Sequence, residues 1–313
     1  MDRKGRDAHS PWAMPWGGWK AVLWRSWNEA SDDNIGLIAA GVAFYGFLAL
    51  VPLLGAVVLS YGLVADPVTV LHDVRGLSTI LPREIAAVIG DQLLGLVRSP
   101  DERKGFGILF ALGIALFGAR NGAGAIIAAL NIAYEEKEKR NFVWVNLTAI
   151  AITLGAVLAA VLAAIAMTAL GALDRLLPFA PEALLLVGKV ASHVLLTLAG
   201  AAGAAALYRF GPSRAKPRWT WITPGSLLAA LLWLALTLGF GAYVRYVGRF
   251  DATYGSLGAI VALLTWLYLS AYVLLFGAEL NSELEHQTEH DTTTGAPQPI
   301  GQRRAWVADN VAE

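Results

Sequence analysis

Cysteine is absent from this 313-residue chain, and methionine occurs only three times. Without thiols there is no disulfide, no thiolate nucleophile and no cysteine-ligated metal. Charge is scarce too. Asp, Glu, Lys and Arg make up 15% of the residues, against about 25% in an ordinary soluble domain. Acidic and basic residues number 24 each, so no global basic field draws nucleic acid. No G-x-x-x-x-G-K-[ST] loop occurs, which removes the usual phosphate cradle of an ATP-driven machine. Residues 1–35 contain no apolar leader core, so the first apolar run is expected to act as its own insertion signal.

Apolar residues are abundant, at 56%. They gather into six runs, at residues 36–64, 106–125, 145–172, 182–208, 221–246 and 256–284. A hydrocarbon core of about 30 Å needs about 20 residues of helix to cross it. Each run meets that length. In lipid, only helices and closed barrels satisfy every backbone polar group. A barrel would alternate polarity over segments of about 10 residues, whereas these runs are continuous in Ala, Leu and Gly. The expected fold is all-α, a polytopic membrane helical bundle of six transmembrane helices. The chain then divides into an N-terminal segment at 1–35, a transmembrane domain at 36–284 and a disordered tail at 285–313.

Orientation follows from Lys and Arg. Arg3, Lys4, Arg6, Lys20 and Arg25 precede the first run. Lys137, Lys139 and Arg140 follow the second, and Arg209, Arg214, Lys216 and Arg218 follow the fourth. With Arg303 and Arg304 they fall on one side if the spans alternate. The positive-inside rule makes that side, with both termini, cytoplasmic. Trp16, Trp19, Leu23 and Trp27 recur at helical spacing and predict an amphipathic helix at the membrane surface. The outer loop at 65–105 predicts two short amphipathic capping helices, separated at Pro82.

Polar groups inside the runs are the candidate site residues, because an ionisable side chain in a span is costly and calls for a reason. Tyr45 and Pro52 lie in the first run. Arg120 and Asn121 lie within the second, among Gly118, Gly122 and Gly124, so that span either ends at Arg120 or carries it inward. Asn131 and Tyr134 come next. Lys189 and His193 are four apart on one face of the fourth run, and Glu279 and Asn281 close the last. Each has a plainer reading as well: a packing bend at Pro52, and snorkelling of Arg120 or Lys189. Glu279 needs a partner, and Arg120 is the one named here. His286 and His290 are four apart, but no third ligand accompanies them. No metal site and no cofactor are expected.

Several motifs carry a resemblance. Ile38-Ala39-Ala40-Gly41-Val42-Ala43-Phe44-Tyr45-Gly46-Phe47, followed by Pro52, resembles the first span of the YihY/BrkB family, also labelled ribonuclease BN-like. Ala129-Leu130-Asn131 with Tyr134 is similar to its central motif. Tyr208-Arg209-Phe210-Gly211-Pro212 with Pro224-Gly225 resembles its fourth loop, and Tyr254-Gly255-Ser256-Leu257-Gly258 with Gly277-Ala278-Glu279-Leu280-Asn281 its last span. One departure is Phe117-Gly118, where the family often has Trp-Ser. The resemblance implies a multi-pass protein of the bacterial inner membrane that moves a lipid or a small organic solute.

Ribonuclease chemistry is not expected. Metal-assisted phosphodiester cleavage needs clustered carboxylates or histidines, and His9, His72, His193, His286 and His290 fall in separate segments. The chain is read as no enzyme, with membrane lipids as its partners and no nucleic acid. Transport with the path between the spans is the first reading, and it predicts a pocket gathering several of the polar residues above. A non-transporting envelope scaffold is the alternative.

Overall fold

The computed structural model describes residues 5–62, 101–171, 182–246 and 257–312. Among the described residues the chain is helical, with a single isolated antiparallel bridge between Pro217 and Thr293. The main helices are α1 (Trp16–Asp32), α2 (Ile35–Gly62), α3 (Asp101–Ala133), α4 (Phe142–Gly171), α5 (Glu182–Phe210), α6 (Trp219–Tyr246) and α7 (Gly258–His286), with a short α8 (Trp306–Asp309) in the tail. Among the described residues four segments are long and apolar enough to cross a membrane, and the bent α1–α2 pair makes up to five. α2 and α5 are helices of 28 and 29 residues. Six spans therefore stand as the expectation from sequence. The capping helices expected at 65–105 lie outside the described residues except for 101–105, which form the start of α3.

α7 is the central strut: it packs against α1, α2, α3, α6 and α8. α2 lies along α3, and α5 along α6. Side chains pointing away from these contacts are apolar, among them Leu37, Leu158, Leu195 and Leu238. Such a surface suits hydrocarbon and would be an aggregation liability in water.

Small residues set the closest crossings. A Cβ on Gly118 would stand 3.0 Å from the Pro52 ring, and one on Gly122 would stand 3.1 Å from Ala49. Gly118, where the family pattern often has Ser, thus makes room for the Pro52 ring of α2. At the α6–α7 crossing, Gly225 and Gly277 face each other, and a Cβ on Gly277 would lie 2.6 Å from the Gly225 carbonyl. Close approach of this kind is how membrane helices gain dispersion contacts. Pro224 leaves the α6 ladder short of a donor. Asn281 braces the same turn: its Oδ1 accepts from Gly225 N at 2.8 Å, and its Nδ2 donates to Ile222 O at 3.1 Å.

α1 is amphipathic as expected, with Gly18, Val22, Ser26 and Ala30 buried and Trp16, Trp24 and Trp27 outward. Trp19 is half-buried instead, against Val22 and Leu280. Asn34, in the left-handed region at φ 55°, turns the chain through 65° into α2. Asn tolerates that conformation better than most residues.

Residues 285–313 were expected to be disordered, and the structure differs. Arg303 is buried and donates to the carbonyls of Glu289, His290, Gln298 and Ala308. Asp291 accepts from Thr293 and Gln298, and Trp306 N donates to Glu136 at 2.7 Å. The termini meet where Arg6 donates to Ala312 O. The tail is polar because its groups are satisfied by one another and by helix ends, not because they are left to water.

Candidate functional site

The end of the bundle that carries both termini is rich in buried polar groups. Arg214 and Glu285 form an ion pair at 2.6 Å with neither side chain exposed. Thr292 Oγ1 adds a 2.6 Å hydrogen bond to the same carboxylate, and the Tyr134 ring lies 5.0 Å from the guanidinium. Asn131 accepts from Ser213 N at 2.7 Å and donates to Glu138 at 3.0 Å, tying α3 to the loop after α5. Hydrogen bonds from Arg140 hold the Glu138 carboxyl down at about 2. Residues 135–140, expected to form a charged helix, are instead a non-helical link held by these charges and hydrogen bonds.

The residues singled out from sequence do not share one pocket. Asn131, Tyr134, Glu279 and Asn281 meet in this polar core. Arg120 does not reach Glu279. α3 runs on unbroken past Arg120, whose guanidinium bonds to Asn146 of α4 and lies 4.7 Å over Phe117. Glu279 is fully buried with neither oxygen hydrogen-bonded. Tyr45 and Asn121 are exposed, and Pro52 packs at Gly118. The side chains of Lys189 and His193 lie outside the described residues.

The cavities lie elsewhere. One, about 990 Å³, opens between the start of α4 and the loop after α5. Lys139, Arg140, Arg209, Arg214, Lys216 and Arg304 line it, and no Asp or Glu does. Lys139, Arg140 and Arg214 are paired to Glu136, Glu138 and Glu285. Arg209, Lys216 and Arg304 have no carboxylate partner among the described residues. Arg209 lies 4.6 Å over Trp219, and Lys216 lies 5.1 Å over Phe210. The remaining wall is the apolar face of α4, with Trp144, Leu147 and Ala151. One side of the cavity is therefore cationic and the other apolar, an arrangement that accepts an anionic amphiphile.

Two apolar grooves flank α7. One, about 330 Å³, lies between α5, α6 and α7, and the other, about 350 Å³, between α2, α3, α4 and α7. Trp233, Ser270 and Leu274 border both. Their polar lining is limited to hydroxyls and the Trp233 indole, which donates to Ser270 at 3.1 Å. The sequence reading missed the basic cavity. Its signal was the run of basic residues from Arg209 to Arg218, which served only to orient the chain. Arg304 joins them through the folded tail, where Ala215 N donates to Arg304 O.

A family model described as Virulence factor BrkB matches residues 26–300. The chain is 32% identical over 187 residues to a Bacillus subtilis (strain 168) protein named ribonuclease-like, YfkH, covering 59% of this chain and 68% of that one. It is 26% identical over 280 residues to UPF0761 membrane protein PSHAa0171 of Pseudoalteromonas translucida, covering 85% and 86%. It is also 27% identical over 271 residues to a UPF0761 membrane protein of Vibrio atlanticus, covering 84% and 82%. No solved structure matches.

Proposed function

The chain belongs to the virulence factor BrkB family, and from that premise we propose that it moves an anionic lipid between membrane leaflets, with no ATPase of its own. The observation that carries this reading is the basic cavity of about 990 Å³ with an apolar wall. Arg209, Lys216 and Arg304 have no carboxylate partner among the described residues, although Arg209 Nη1 donates to Pro217 O, and guanidinium groups suit a phosphate's planar pairs of oxygens. The apolar face of α4 then receives the upper acyl chain. The grooves beside α7 offer a continuation that a polar solute could not use, because their walls are almost wholly apolar. This favours lipid over a small organic solute.

Each juxtamembrane basic residue contributes about 1 kcal/mol toward an anionic surface. Three of them therefore amount to about 100-fold in affinity. The test is competition between spin-labelled phosphatidylglycerol and phosphatidylcholine for the purified protein. The parent prefers the anionic lipid, and the Arg209→Gln/Lys216→Gln/Arg304→Gln variant loses most of that preference. Equal affinity of the folded parent for both lipids would overturn the reading.

A further inference from the structure

Four carboxylates that the lipid path does not use converge at the foot of the bundle. Glu29 of α1, Asp33 of the α1–α2 elbow and Glu135 just past α3 each bring an oxygen within 4.8 Å of the others. Behind them is Glu279 of α7, fully buried, with neither oxygen hydrogen-bonded. The charges that act on Glu279 are themselves carboxylates: Asp33 most strongly, then Glu29, Glu283 and Glu135. Its carboxylate therefore lies within electrostatic reach of the cluster. One oxygen of Asp33 is likewise buried without a partner. The nearby basic groups are committed elsewhere. Arg25 donates to Glu283 at 2.6 Å and to Gln287 at 2.7 Å, and His286 lies 3.3 Å from Glu283.

A buried, unpaired carboxylate facing three others is among the costliest arrangements a fold can hold, unless it takes up a proton or something positive sits between them. We infer that Glu29, Asp33 and Glu135 bind a hard divalent cation, with Glu279 facing it from the interior. The donor set is all oxygen, with neither sulfur nor imidazole, which selects calcium, magnesium or manganese over zinc or copper. Water would complete the shell of such an ion.

Glu135 sits in the left-handed region at φ 53°, and Asn34 beside Asp33 at φ 55°. The ion would therefore clamp the α1–α2 elbow to the end of α3, across the foot of α7.

The test uses the full-length protein in nanodiscs of phosphatidylcholine alone, so that it does not depend on anionic lipid. Manganese binding is read by electron paramagnetic resonance, with calcium as competitor, and the thermal midpoint is followed with each cation and with a chelator. The expected result is one saturable manganese site displaced by calcium. Asp33→Asn and Glu135→Gln should each weaken it about tenfold or more, because affinity follows the ligand charge count. The midpoints should also cross. With chelator the Asp33→Asn protein melts at or above the parent, since repulsion is relieved, and with calcium it melts below. Glu138→Gln, outside the cluster, should bind as the parent does. Absence of saturable binding up to about 10 mM cation, far above any functional calcium site, would overturn the proposal. So would variants whose midpoints respond to calcium as the parent's does.

Discussion

Replacing Arg214 by methionine should cost about 3–5 kcal/mol, the range for breaking a buried ion pair from one side. Both side chains are wholly buried, and the guanidinium meets the carboxylate twice, at 2.6 and 3.2 Å. Methionine fills a similar length but leaves Glu285 charged and dry. Thr292 Oγ1 still donates to it at 2.6 Å, which places the loss toward the lower end, about 3 kcal/mol. Removing both charges together, as Arg214→Met/Glu285→Leu, should recover most of the stability, because a hydrophobic replacement of the whole pair is often neutral. The assay is equilibrium unfolding in mixed micelles, run as a double-mutant cycle. Arg304→Met is the exposed control, expected within about 0.5 kcal/mol of the parent. A single variant within about 1 kcal/mol of the parent, or a double variant as weak as the two singles summed, would refute the reasoning.

Gly277→Ala should impair folding, since its Cβ would lie 2.6 Å from both the Gly225 carbonyl and the Tyr208 hydroxyl. Overpacking of this kind costs about 1–3 kcal/mol or more. Gly239→Ala meets nothing within 4 Å and should leave the yield of monodisperse protein unchanged. Arg303→Met removes the donor to four tail carbonyls, so limited proteolysis should release the C-terminal tail faster than in the parent. Equal cleavage rates would contradict the packed tail.

The helical membrane architecture was legible because it rests on composition and run length, which lipid constrains severely. The α1 face and the gathering of both termini at one end were legible for the same reason: indole spacing and the basic loops carry them. Partners across the chain were not. Arg120 and Glu279 looked like natural partners, but α3 continues for 13 residues past Arg120 to Ala133, about 20 Å of helix. Arg120 turns to Asn146 instead. Asn281 seemed a polar residue for a path and serves as the splint of α6 at Pro224. The carboxylate cluster joins Glu29 and Asp33, which are neighbours at helical spacing, to Glu135 far along the chain, so spacing announces the pair but not its third member. The polar tail misled because composition counts polar groups without showing where their partners are.

Lipid movement tests the account most directly. Head-group-labelled phosphatidylglycerol is placed in one leaflet of proteoliposomes containing the parent protein, the Arg209→Gln/Lys216→Gln/Arg304→Gln variant or no protein. The account predicts that the parent moves the label faster than empty vesicles do, and that the variant, folded to the same degree, moves it several-fold more slowly. A folded parent that moves no label would contradict it and leave a scaffold, not a carrier.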